Sequence, residues 1–253
     1  MSRDRKGSCA IAIMAKAPRI GDVKTRLVPP LSPADAAALS GCFIRDIAAN
    51  ILAAAESAPI EGYVAYSPPG SAHVFMPLLP AGIRLLPSRR PGLGCSLFDA
   101  AGDLLTAGYG AACLVNSDSP TLPTALLVEA ARALAAPGDR VVVGPADDGG
   151  YYLIGLQQPH RRLFEDIAWS TEHVFRQTLD RANELALDII TLPRWYDVDD
   201  LDSLRHLLTE IATFAAAKKG YPALFTAAFL RDLRSRVGAQ LFGTEAAAPI
   251  GRA

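Results

Sequence analysis

The chain has 253 residues, 50% of them hydrophobic and 20% charged, with a formal net charge of -1. That length supports one globular domain with a sizeable core and no need for disulfide or metal staples. The balanced charge excludes a global basic field, so nucleic acid and anionic membrane surfaces are not expected partners and any phosphate site must be local.

The N-terminus imitates a signal peptide, because basic MSRDRK precedes apolar CAIAIMA (9–15). That run is short and stops at Lys16, so it reads as a first buried strand rather than an export signal. No stretch approaches transmembrane length, so a soluble, cytoplasmic protein without stable membrane insertion is expected. The runs YVAY (63–66), IRLL (83–86), ACLVN (112–116) and RVVVG (140–144) are too short for stable helices and also read as strands. Between them lie helical start signals. Ser32-Pro33 precedes a helix over 34–56, Pro123 opens 124–136, Ser170 or Thr171 starts another, and Asp199 is expected to cap 200–215. After about residue 216, KKGYPALFTAAFLRDLRSRVGAQLF reads as one or two added helices and GTEAAAPIGRA as a frayed tail. The expected organisation is a domain over 1–215 and a C-terminal extension over 216–253.

Alternating strands and helices predict an α/β fold, a Rossmann-like three-layer α/β/α arrangement around a mainly parallel sheet. Ligands of such sheets bind beyond the carboxyl ends of the strands. That rule selects four loops, 16–32, 117–122, 145–150 and 195–200. The four cysteines are widely spaced and show no C-x-x-C, which favours free thiols, with one disulfide pair as the alternative. The four histidines lack metal-ligand spacing, and the absence of G-x-S-x-G disfavours a covalent hydrolase.

The first loop gathers Lys16, Arg19, Lys24 and Arg26 around Gly21, where cations and backbone amides can converge on phosphate oxygens. A solvated basic loop is the plain alternative, and no Walker A pattern is present. In NSDSPTLP, Asp118 directly follows a buried strand, a placement suited to a hard cation such as Mg²⁺ or Mn²⁺; a helix cap or Asx-turn explains it equally well. In GPADDGGYYLIGL, the Asp148-Gly149 pair between two apolar runs is a strong hairpin signal. Gly149 and Gly150 also permit close approach of a ligand, leaving Asp148 to accept hydrogen bonds from hydroxyls. In DVDDLDSL, Asp199 and Asp202 suit the start of a helix, which leaves Asp197 as the candidate second metal carboxylate.

The ordered set KAPRIGDVKTRL, NSDSPTLP, GPADDGGYYLIGL, WST and DVDDLDSL, spanning about residues 9 to 210, resembles a bacterial glycosyltransferase-A-like family of largely unassigned activity in the nucleotide-diphospho-sugar transferase superfamily. VKTRL and DVDDLDSL are also similar to 2-phospholactate guanylyltransferase. The resemblance implies a nucleotide near the first strand and a metal at Asp118, with Lys24 and Arg26 in the phosphate-contacting loop. Together with the reading of the loops, the expected nucleotide- and phosphate-binding set is Lys16, Arg19, Gly21, Lys24, Arg26, Gly94 and Ser117, with Arg89 and Arg90 nearby. Asp118, Asp148 and Lys24 take the catalytic roles. Asp148, Gly149, Gly150, Tyr151, Ser170 and Thr171 face the substrate, and Asp118 and Asp197 hold the metal.

The pattern departs from D-x-D glycosyltransferases at Asn116, and Tyr151 and Tyr152 stand where guanylyltransferases carry a small polar residue. In PGLGCSLFDA, Leu97 replaces the third glycine of a dinucleotide fingerprint. The expected activity is metal-dependent glycosyl transfer from a nucleotide sugar to a small-molecule acceptor. Nucleotidyl transfer from a nucleoside triphosphate and a non-catalytic nucleotide or sugar binding module are the alternatives. Oligomeric state is not legible in the sequence.

Overall fold

The computed structural model describes residues 5–217 and 219–237, so the tail expected at 243–253 lies outside the described residues. A seven-stranded sheet has the order β3-β2-β1-β4-β6-β5-β7. Its strands are β1 (Cys9–Lys16), β2 (Ile60–Ser67), β3 (Arg84–Pro87), β4 (Ala111–Asn116), β5 (Arg140–Pro145), β6 (Tyr151–Leu156) and β7 (Asp188–Thr191). All five expected strands form. β6 runs antiparallel to both β4 and β5, as the D-G hairpin signal requires, and the other neighbours pair in parallel.

Helices α1 (Pro33–Ala55), α2 (Ala72–Phe75), α3 (Leu93–Thr106), α4 (Thr124–Ala135), α5 (Val174–Glu184), α6 (Leu201–Ala217) and α7 (Leu224–Val237) complete the fold. α1 starts as its sequence dictates: Pro33 occupies the first turn and the Ser32 side chain accepts the Asp35 amide. It is long and apolar enough to cross a membrane, yet 67% of its most apolar window is buried inside the molecule, as in a core helix.

Strand β1 is apolar on both sides because both of its faces are covered. Ile11 and Ile13 enter one core with Ile44 and Ile47 of α1 and Leu127 of α4. Ala10 and Ala12 enter the other with Leu97 and Leu104 of α3. Fully burying each isoleucine contributes about 1.5–3 kcal/mol. Cys9 and Cys113 meet with their sulfurs 3.6 Å apart, and both remain free thiols.

A third core lies beneath the carboxyl edge of the sheet. It joins Leu27, Phe43, Val198, Leu204, Leu230 and Leu233, and so packs the first loop, α1, the 195–200 loop, α6 and α7 together. α7 is also tied to α1 directly, because the buried Asp46 carboxylate accepts the Phe225 and Thr226 amides at 3.0 and 2.8 Å. Helix α6 is capped by Asp200, not Asp199. The Asp200 carboxylate accepts the Ser203 amide at 2.9 Å, while Asp199 is drawn to a cation.

Candidate active site

The strand order reverses between β1 and β4, the position where doubly wound sheets open a crevice. β1 delivers Lys16 to that crevice and β4 delivers Asn116, Ser117 and Asp118. From Lys16 the chain passes exposed Gly21 (φ 83) and reaches Lys24, which adopts a left-handed backbone (φ 50) at the start of the turn Thr25–Leu27. Leu27 is fully buried in the third core and anchors this loop.

Lys24 is the centre of the site. Its ammonium lies 2.5 Å from Asp118 Oδ1, 2.9 Å from Asp199 Oδ1 and 2.8 Å from the Val198 carbonyl. The side chain is only 5% exposed. Burial pushes the ammonium toward neutrality, but the Asp118 and Asp199 carboxylates outweigh burial and hold its pKa above the ordinary value. Lys24 is thus the bridge between Asp118 and a second acid, and that acid is Asp199.

Two loops are stitched so that this contact is fixed. The Val198 amide donates to the Asp118 carbonyl at 2.9 Å, and the buried Ser119 hydroxyl donates to the Tyr196 carbonyl at 2.8 Å. Thr121 and Tyr196 share a hydroxyl contact at 3.1 Å. On the other side, Asn50 of α1 donates to the Leu122 carbonyl and accepts from Thr124, both at 2.6 Å. Asn50 and Asp46 escaped the sequence reading. Their signal was present, as polar residues four apart within the apolar stretch of α1.

Asp118 does not cap a helix, because α4 begins only at Thr124. Its carboxylate accepts a 3.3 Å hydrogen bond from Ser117, and its amide donates to the Asn116 side chain at 3.4 Å.

The hairpin between β5 and β6 brings Asp147 and Asp148 to the same edge. Asp148 Oδ1 accepts the Gly150 amide at 2.8 Å. Gly149 has φ 87, and a β-carbon there would stand 2.3 Å from the Glu172 carbonyl oxygen, so the position admits glycine alone without a shift. That close approach, with the Phe175 amide donating to the Gly149 carbonyl at 2.9 Å, seats the hairpin on the start of α5.

Asp197 follows from Tyr196, and its pKa is pushed up to about 7, first by burial and then by Asp148 and Asp199, with Asp118 adding to the effect. Asp148, Asp199 and Asp118 therefore act on Asp197 through one negative field. Among the described residues no group of three or more His, Cys, Asp or Glu is arranged to hold a metal ion by itself. An ion at this edge would need substrate oxygens and water to complete its shell.

Four adjoining cavities follow the carboxyl edge. A cleft of about 420 Å³ between β1, β2 and the start of α3 is lined by Met14, Lys16, Ser67, Gly92, Ser96 and Asp118. It shares Lys16, Ser117 and Asp118 with a polar pocket of about 220 Å³ that also contains Lys24 and Arg26. Arg26 and Asp199 lead from there into an acidic cavity of about 430 Å³ walled by Asp147, Asp148, Asp197, Asp200 and Asp202. Asp147, Tyr196 and His206 lead on to a mostly apolar pocket of about 360 Å³.

Other expected residues stand apart from this line. Arg19 is held on the Ser71 hydroxyl at 2.9 Å. Gly92, not Gly94, lines the first cleft; a β-carbon on Gly94 would stand 2.9 Å from the Trp169 indole nitrogen. Tyr151 turns inward, edge-on to Trp169 with centroids 6.5 Å apart, and burial raises its pKa. Tyr152 is fully buried. Thr171 donates to the Ala168 carbonyl at 2.7 Å and accepts from the His173 amide at 3.3 Å, and Ser170 (φ 64) lies in the same turn. Gly94 and Tyr151 thus flank Trp169, and Ser170 and Thr171 form the turn that follows it. Arg89 is paired with Asp103, whereas Arg90, paired with Asp99, does line the first cleft.

Residues 50–171 match a family described as uncharacterized protein conserved in bacteria, DUF2064, a narrower span than the motif set. A structure from Desulfovibrio desulfuricans G20, provisionally named a nucleotide-diphospho-sugar transferase, is 26% identical, with a TM-score of 0.76 over 90% of this chain and 95% of that one. A CMP:2-keto-3-deoxy-manno-octonic acid synthetase complexed with CTP is 12% identical, with a TM-score of 0.52 over 81% of this chain and 99% of that one. A cytidylyltransferase from Leptospira borgpetersenii serovar Hardjo-bovis is also 12% identical, with a TM-score of 0.52 over 92% and 98%. The latter two show the shared fold alone. No curated protein matches the sequence. The chain therefore resembles the DUF2064 family through its middle segment and the nucleotide-diphospho-sugar transferases through its whole fold.

Proposed function

We propose that the protein is a metal-dependent glycosyltransferase that takes a nucleotide diphosphate sugar as donor. A nucleotide-related transferase is supported by the fold; the sugar chemistry rests on one observation, the change of charge along the clefts. The nucleotide cleft and the Lys16, Lys24 and Arg26 pocket suit a nucleoside and its diphosphate. Beyond them the wall carries Asp147, Asp148, Asp197, Asp200 and Asp202. That wall can accept hydrogen bonds from a hydroxyl-rich sugar, whereas a pyrophosphate leaving along it without a metal would be repelled. The two tyrosines after D-G-G, both turned inward, carry no weight in this choice.

In this reading Lys16, Lys24, Arg26 and Ser117 orient the donor diphosphate, and Asp148 receives the acceptor's hydroxyl proton. Asp118 and Asp197 would hold a Mg²⁺ or Mn²⁺ ion shared with the donor. Such an ion supplies charge stabilisation to the departing diphosphate.

Nucleotidyl transfer is the second reading, favoured by Lys24 within KTRL and by its contact with Asp118. Phosphorus NMR of the protein with nucleotide sugars, nucleoside triphosphates and Mg²⁺ or Mn²⁺ separates the cases. Release of nucleoside diphosphate supports glycosyl transfer, pyrophosphate supports nucleotidyl transfer, and binding shifts without turnover support a non-catalytic module. Asp118→Asn is expected to abolish product formation in a folded protein, and retained turnover would remove Asp118 from the chemistry.

A further inference from the structure

The mostly apolar pocket at the end of the line of clefts has no role in donor binding. Its wall is a set of aromatic rings. Trp195 and Tyr196 are tilted by 31° with centroids 5.8 Å apart, His206 meets Tyr196 edge-on at 4.5 Å, and Phe214 of α6 also lines the pocket. The wall is held rigidly. The Trp195 amide donates to the Pro145 carbonyl at 3.1 Å, and the Tyr196 hydroxyl is tied to Thr121 and Glu210. Arg194 and Lys219 line the pocket beside Asp147 and Glu210. Arg194 donates to the Ala146 carbonyl at 2.6 Å and lies 4.0 Å from an Asp147 oxygen, which leaves Lys219 as the cation for a ligand. The cavity of about 360 Å³ is of a size for one small ring-bearing molecule.

We infer that this pocket is the acceptor subsite and that the acceptor is a cyclic or aromatic hydroxy acid. Its ring would lie against Trp195, Tyr196 and Phe214, which offer π-faces and apolar area. Its carboxylate or phosphate would face Lys219. Its hydroxyl would point toward the acidic cavity, which shares Asp147, Tyr196 and His206 with this pocket. The inference rests on the glycosyltransferase reading for its chemistry. The acceptor oxygen bonds to the anomeric carbon, the bond from that carbon to the donor diphosphate breaks with its electron pair leaving on the nucleoside diphosphate, and the hydroxyl proton passes to Asp148.

Calorimetric titration of the full chain with 4-hydroxyphenylacetate, and with its neutral counterpart 4-hydroxyphenethyl alcohol, tests the subsite directly. The acid is expected to bind more tightly than the alcohol. Phe214→Ala should weaken both probes about tenfold. Lys219→Ala should weaken the acid alone, by about fivefold. No binding of either probe, or affinities untouched by both substitutions, would overturn the inference. Nucleoside diphosphate release, followed by phosphorus NMR in parallel, reports on the other reading. Release without probe binding sinks the subsite alone, and probe binding with pyrophosphate as the only product sinks the glycosyl chemistry while leaving the pocket.

Discussion

Replacing Lys24 with methionine keeps the apolar stem and removes the ammonium, which lies 5.5 Å from the centre of the Phe43 ring. The ammonium faces two carboxylates at 2.5 and 2.9 Å. Breaking a fully buried pair costs about 3–5 kcal/mol and an exposed one at most about 1 kcal/mol. Asp118 and Asp199 are 30% and 40% exposed, so water recovers part of their solvation once the cation is gone. The expected loss is about 2 kcal/mol near pH 8, which lowers the urea midpoint by about 0.7 M for a slope near 3 kcal/mol per molar.

The pH dependence follows from the acids. Lys24 has a raised pKa, so its own contribution is lost only above the ordinary lysine range, outside the window tested. Asp197 has a folded pKa of about 7 against an ordinary 3.8. The folded state therefore holds a proton that the unfolded chain releases, and this group's share of stability declines as pH rises from about 4 to about 7. In Lys24→Met the neighbouring acids repel without a counter-charge, so the gap to the parent protein should narrow toward about pH 4. Urea unfolding across that range is the assay. A variant with the parental midpoint at about pH 8, or one equally weakened at both ends, would refute the proposed role of the charge.

Asp46→Ala should destabilise the protein by about 1–2 kcal/mol by stripping the acceptor from two amides at the start of α7. Thermal melts, with hydrogen exchange faster in α7 than in the sheet, would check it, and unchanged exchange in α7 would contradict it. Gly149→Ala combines a positive φ with a 2.3 Å approach to the Glu172 carbonyl oxygen, so it should cost more than about 2 kcal/mol. A parental melting temperature for that variant would show that the hairpin is free to shift off α5.

The sheet was legible because its central strands are covered on both faces and so appear as unbroken apolar runs, such as CAIAIMA. β7 was not, since DIIT is four residues long with exposed ends at the edge of the sheet. The acids at the carboxyl edge were legible one by one, but their partners were not. Lys24 and Asp199 are 175 positions apart, and Asp199 in isolation looks like a helix cap. Tyr151 misled for a different reason. Alternation along β6 says that neighbours point to opposite faces, yet Tyr151 and Tyr152 are both covered because each face carries its own helical layer. The apolar pocket was invisible as well, because Phe214 and Lys219 reach it only through the packing of the C-terminal segment.

The charges of the site do not balance internally. Asp118, Asp148, Asp197 and Asp199 act on one another, while Lys24 is committed to two of them and Arg26 lies at the exposed margin. Asp197 reflects part of this excess: burial is the first cause of its raised pKa, and Asp148, Asp199 and Asp118 add to it. One lysine is therefore too little cation for the concavity. A divalent ion arriving with a diphosphate would bring positive charge to the acids and give the phosphates their counter-charge at once. On these grounds metal and donor are expected to bind together.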